Sequence, residues 1–174
     1  MLGFLNRRPK LPAERRPALD SDERILAWAQ APDEQVVVAT NRGLWLPGRA
    51  RLGWHEIHKA SWSGRELSVI AADVAEERDG YTVLVDQPVG SYLLREPGEL
   101  PDQVRARVTR SVGYTSYHQV PGGGVRIAAR RVSGADGLRW TVRYDSGATV
   151  DAEATVQATG ELVATAQELT APPP

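Results

Sequence analysis

The feature that most constrains this chain is how short its apolar runs are between residues 25 and 95, and how regularly turn formers interrupt them. Residues 25–30 give way to Pro32-Asp33, and the valine run of 35–40 meets Thr40-Asn41-Arg42-Gly43 before Leu44-Trp45-Leu46. Residues 52–62 and 66–71 flank Ser63-Gly64-Arg65, and 81–85 and 91–95 are divided by Asp86, Pro88 and Gly90. Runs this short, broken about every 8 to 12 residues, predict consecutive hairpins of a sandwich or barrel, about seven strands in all. Asn41 suits a tight turn and Gly43 is read as a positive-φ bulge glycine.

A helix is predicted next. Pro101 suits a first helical turn and Asp102 its positive end, while Val104, Val108 and Val112 recur on one face that would cap the strands, with Gly113 as a stop. Seven hairpin strands closed by a helix resemble the pleckstrin-homology fold, and VVVATNRGLWL, residues 36–46, is similar to the strand-turn-strand of bacterial pleckstrin-homology-like domains of uncharacterised function. The resemblance covers about residues 22–115 and implies a protein-interaction scaffold. Phosphoinositide-binding members gather Lys and Arg on the first two strands and the loop between them. Here that region reads Trp28 to Gln35 without a basic residue, which speaks against inositol lipid as a partner.

Beyond residue 120 the pattern changes. Pro121 and the glycines 122–124 read as a linker between domains. Val125, Ile127 and Ala129 then alternate with Arg126, Ala128 and Arg130, and Leu138, Trp140, Val142 and Tyr144 alternate with Arg139, Thr141 and Arg143, so one face is apolar and the other carries four arginines. A final helix, about 151–169, has small and apolar residues at 152, 155, 156, 159, 163 and 166 to cover the apolar face. The expected architecture is α+β, mainly β: a pleckstrin-homology-like seven-stranded barrel or sandwich capped by a helix over 22–115, a Gly-rich linker at 121–124 and a strand-strand-helix appendage over 125–170. Residues 1–20, with five basic residues, two acids and three prolines, read as a flexible basic arm.

Composition narrows the chemistry. With 174 residues and 41% apolar content a core can form, and the absence of cysteine excludes disulfides, thiolate nucleophiles and Cys-based zinc sites. MLGFLNRRPK places its apolar run before its charges, the reverse of a secretory leader, and no run reaches the roughly 18 apolar residues of a membrane span, so a cytoplasmic protein is expected. Nineteen arginines against two lysines suit a high-GC bacterial genome.

GWHEIHKASW, residues 53–62, looks most like chemistry. His55 and His58 would share a face on a helix, but on a continuous strand their odd spacing sends them to opposite faces unless a bulge restores the parity. A strand is expected here, with Trp54 and Trp62 facing the core, so no metal site is assigned. The acids Asp73, Glu76, Glu77 and Asp79 read as an exposed loop, no serine sits in a G-x-S-x-G elbow, and Gly122-Gly123-Gly124 precedes a strand instead of a helix, so no catalytic residue or cofactor is assigned either. Charge is segregated: residues 103–143 hold eight arginines and one acid, whereas 66–99 hold eight acids and two arginines, although net charge is -1. The candidate partner-binding residues are Arg105, Arg126, Arg130, Arg139, Arg143, His55 and His58. The function expected is a non-catalytic intracellular interaction or scaffold module with a protein partner. The alternative is nucleic-acid binding by the arginine face.

Overall fold

The buried Leu67, Val69 and Ala71 alternate with half-buried neighbours on a strand that continues far beyond them, and that strand organises the fold. In the computed structural model, which describes residues 9–173, the chain is α+β and mainly β. Strands β1 (Ile25–Gln30), β2 (Val36–Thr40), β3 (Gly43–Trp45) and β4 (Leu52–Gly53) form one antiparallel sheet. A curled mixed sheet runs β5 (Ile57–Trp62), β6 (Glu66–Arg78), β7 (Tyr81–Asp86), β11 (Leu138–Tyr144), β10 (Gly123–Arg131), β9 (Val112–Val120), and β8 (Gly90–Leu93) pairs with β6. The Arg95 N–H donates to the Gln30 carbonyl at 2.8 Å, joining the end of β8 to β1, so the two sheets wrap one core as a half-barrel.

That first core holds Val37, Leu44, Trp54, Ile57, Leu67 and Val69, and helix α1 (Leu100–Ser111) closes it with Leu100, Val104 and Val108. Val112 is not on the helix; it begins β9 and is exposed. The acids 73–79 are not a loop. Asp73, Glu76 and Glu77 belong to the 13-residue strand β6, and the turn is confined to Asp79 and Gly80. Residues 9–20 lie on the half-barrel instead of standing away from it: Leu11 is buried, and the Trp28 indole donates to the Pro9 carbonyl at 3.2 Å. The rest of the expected arm, residues 1–8, lies outside the described residues.

The second core is built as the alternation predicts. Val125, Ile127 and Val142 are buried with Tyr81 and Val83, Trp140 and Tyr144 pack beside them, and α2 (Glu153–Thr170) covers the face with Thr155, Thr159, Val163 and Ala166. Two expectations change. The appendage has three strands, because β9 pairs along the whole of β10, and the glycine stretch is its hairpin: Gly123 and Gly124 are already in β10. The appendage shares a sheet with the half-barrel, since β11 pairs in parallel with β7 through Thr141 with Thr82 and Val142 with Val83. Strand β6, shared by both halves, makes them one sheet system.

Candidate anion-binding site

The site begins with the failure of residues 52–62 to remain one strand. Glu56 Oε2 accepts the Gly53 N–H at 2.6 Å and closes a 3-10 turn over Trp54–Glu56. A Cβ at Gly53 would meet the His55 ring folded back against it, so glycine lets the ring lie there. Then β5 bulges at His58, since Ile57 pairs with Ala71 but Lys59 with Ile70. The turn and the bulge together overturn the expected separation of the two histidines: both line one cavity of about 170 Å³. Trp54 and Trp62 still join the first core, by way of the turn and not by strand parity.

The opposite wall is the arginine face of the second half. Arg126 pairs with Arg143, Ala128 with Thr141 and with Thr115, so these side chains share the cavity with Arg130, Val112 and Leu84. Arg130 is 9% exposed and has no carboxylate partner among the described residues. Its Nη2 donates to the carbonyls of Trp54 (2.9 Å) and Ile57 (3.0 Å) and to Ser111 Oγ (2.7 Å), and its Nε donates to Ser111 Oγ at 3.0 Å. Nη1 has no hydrogen-bond partner among the described residues. Burial, then the neighbouring Arg143 charge, push the guanidinium down to about 10, which leaves it charged at neutral pH.

Asp86, at the end of β7, bridges the remaining groups. It lies 2.9 Å from His58 Nδ1 and also binds Arg143. Burial lowers the pKa of His55 and of His58, and for His58 the Arg143 charge lowers it further against the opposing pull of Asp86. Both imidazoles are therefore neutral hydrogen-bonding groups at neutral pH. Burial also lowers the Arg143 pKa, against its bond to Asp86. On the rim, Arg126 lies over the Tyr117 ring, 5.4 Å from its centroid, and the Tyr117 hydroxyl donates to Asp145 across the bare backbone of Gly124.

Five of the seven residues singled out from the sequence thus meet in one cavity: His55, His58, Arg126, Arg130 and Arg143. Arg139 stays at its edge as an exposed side chain close enough to depress His55, and Arg105 is exposed on α1 outside it. Sequence reasoning missed Asp86, Thr115 and Thr141. The sequence places Asp86 in a turn, whereas it ends β7, and its position after a valine-rich run is the available signal. Such a cavity, with guanidinium, hydroxyl and imidazole groups on its walls and no carboxylate among its lining residues, can hold an anion. Among the described residues no cluster of three or more His, Asp or Glu could hold a metal, and no helix is long and apolar enough to cross a membrane. No family model, curated protein or solved structure matches the chain.

Proposed function

We propose that this protein is a non-catalytic interaction module in which a pleckstrin-homology-like half-barrel and the three-stranded, helix-backed extension enclose a pocket for an anionic group of a protein partner. The single observation that carries this is Arg130: a buried guanidinium with no carboxylate counter-ion, aimed with Arg126 and Arg143 at one cavity. Burying a cation this way is costly unless something offsets it, and an incoming anion does so better than backbone carbonyls alone. The run of strands before α1, eight where about seven were expected, supports the pleckstrin-homology-like assignment by its order of strands followed by a helix. A nucleic-acid ribbon is less favoured, because Arg130 is buried and Arg143 is held by Asp86, leaving only Arg126 and Arg139 exposed for tracking a backbone.

The test is binding of an acidic peptide array at low salt. Capture lost in Arg126→Ala and in Arg143→Gln, with the fold retained by circular dichroism, upholds the reading. Undiminished capture by both variants overturns it. One observation favours a second reading. The His58–Asp86 pair has the geometry that orients an imidazole as a general base. Turnover of p-nitrophenyl phosphate or acetate that His58→Ala abolishes would establish a hydrolase instead.

A further inference from the structure

The geometry points to a more specific occupant of this pocket: the phosphate monoester of a phosphorylated side chain, carried on an extended peptide that adds to the free edge of β9. This rests on the anion-pocket reading above.

Charge is the first argument. The lining carries three guanidinium groups and no carboxylate, and Asp86, bound behind it by His58 and Arg143, offsets one of them. Two positive charges remain uncompensated by direct ion-pair partners, which matches a phosphate monoester near neutral pH better than a carboxylate. The donors suit it as well. Planar guanidinium forks on adjacent strands, with the Thr115 hydroxyl and the His55 ring beside them, can surround three oxygens, whereas a carboxylate offers two; the Thr141 hydroxyl is already donated to the Ala128 carbonyl and His58 turns its Nδ1 to Asp86.

Size is the second. A cavity of about 170 Å³ is well below the roughly 300 Å³ at which pockets begin to hold drug-sized ligands, so it admits a terminal group and excludes a nucleoside or an inositol ring with several phosphates.

The third argument identifies the carrier. Two of the lining residues, Val112 and Thr115, belong to β9, the last strand of the curled sheet. Its nine residues, VGYTSYHQV, include no Asp, Glu, Lys, Arg or Pro, so it lacks the usual blocks to edge pairing. A peptide strand laid beside it would lie about 5 Å further out and would project alternate side chains over the same face as Arg126. A phosphorylated side chain there reaches inward over Thr115 to the arginines of β10 and β11.

The experiment uses the full chain with immobilised ten-residue libraries that have degenerate flanks and a fixed centre of phosphoserine, phosphotyrosine, glutamate or serine. A parallel arm uses vesicles containing phosphatidylinositol phosphates. Expected is retention on a phosphorylated library about tenfold or more above the glutamate and serine libraries. Arg126→Ala, a rim variant that touches neither core, should abolish the difference, and deuterium exchange should slow at β9 amides on binding. Equal retention on glutamate and phosphate libraries overturns the phosphate assignment while leaving the anion pocket intact. Retention without β9 protection overturns the added strand, vesicle binding without library binding overturns the peptide carrier, and no retention on any support overturns both this inference and the reading beneath it.

Discussion

Glu23 shows how much of the sequence signature at residues 36–46 is structural chemistry. Its side chain is fully buried, accepts from Thr40 Oγ1 at 2.6 Å and Trp45 Nε1 at 3.0 Å, and is ion-paired with Arg51 at 2.5 Å. Thr40 Oγ1 in turn accepts the N–H groups of Arg42 and Gly43, and the Asn41 side chain clamps Asp22 and Arg24. The Thr-Asn-Arg-Gly turn is therefore a lock on the segment before β1. Gly43 serves it in a way the sequence does not show: its φ is not positive, and the position needs glycine because the Leu52 carbonyl of β4 occupies the place of a Cβ. Glu23→Ala should cost about 2 to 4 kcal/mol in urea unfolding, because it leaves the Trp45 indole without its acceptor and removes the buried carboxylate that Thr40 and Arg51 share, with only the Gly43 carbonyl and Asp20 left to them. Burial pushes the Glu23 carboxyl up, but these hydrogen bonds and the Arg51 charge outweigh it and hold the pKa below its ordinary 4.5. Its contribution is thus complete above that value and is lost as pH falls through the lower folded value; Glu23→Gln should flatten this acid limb. The histidines act with a similar sign. His55 and His58 have folded pKa values below 6.5, so the unfolded chain takes up their protons first, and stability falls as pH drops below 6.5. Melting temperatures between pH 8 and pH 5 should decline less in His55→Gln, His58→Gln than in the wild type.

At the scale of elements, what could be read from the sequence depended on whether one residue's side chain had one reason to be where it is. β10, β11 and α2 were legible because their alternation and helical spacing answer to a single buried face. The approach to β5 was not, because its turn depends on a side-chain acceptor, Glu56, folding back to Gly53, and a three-residue turn leaves no periodic trace. β9 was missed because its inward positions are Tyr114, Ser116, His118 and Val120, a mainly polar and aromatic set whose period two is marked by a single valine at its end. The glycines after it looked like a linker for the same reason that they work as a hairpin. Gly123 sits at φ 134°, and Gly124 leaves room for the Tyr117–Asp145 bond. These two roles predict different costs. In Gly124→Ala the obstructing atoms belong to side chains that can move aside, so the loss should be about 1 kcal/mol, the worth of one hydrogen bond, with weaker anion capture as Tyr117 leaves Arg126. In Gly43→Ala the obstruction is backbone, and the loss of stability in the same urea titration should be larger.

For the whole molecule the question is whether two cores behave as one cooperative unit. The parallel pairing of β7 with β11 spans only two residue pairs, which is little to hold two halves together. Two other features do more. Strand β6 passes from the first core, through Leu67, Val69 and Ala71, to Arg78, whose guanidinium donates to Tyr144 Oη at 2.9 Å in the second half. Arg130 reaches the other way, from β10 to the carbonyls of Trp54 and Ile57 and to Ser111 at the end of α1. The guanidinium on which the proposed anion pocket rests therefore fastens its two walls together, and under that proposal occupancy and cohesion are coupled through one residue. Four of the five tryptophans, Trp28, Trp45, Trp54 and Trp62, lie on the half-barrel and Trp140 beside the second core. In a chain labelled with 5-fluorotryptophan, all five fluorine signals should lose their native positions at one urea concentration. In Arg130→Met, which fills the space but removes the bonds to Trp54, Ile57 and Ser111, the Trp140 signal should separate from the other four. Separate midpoints in the unsubstituted protein would show that the halves are independent and that Arg130 serves the pocket alone.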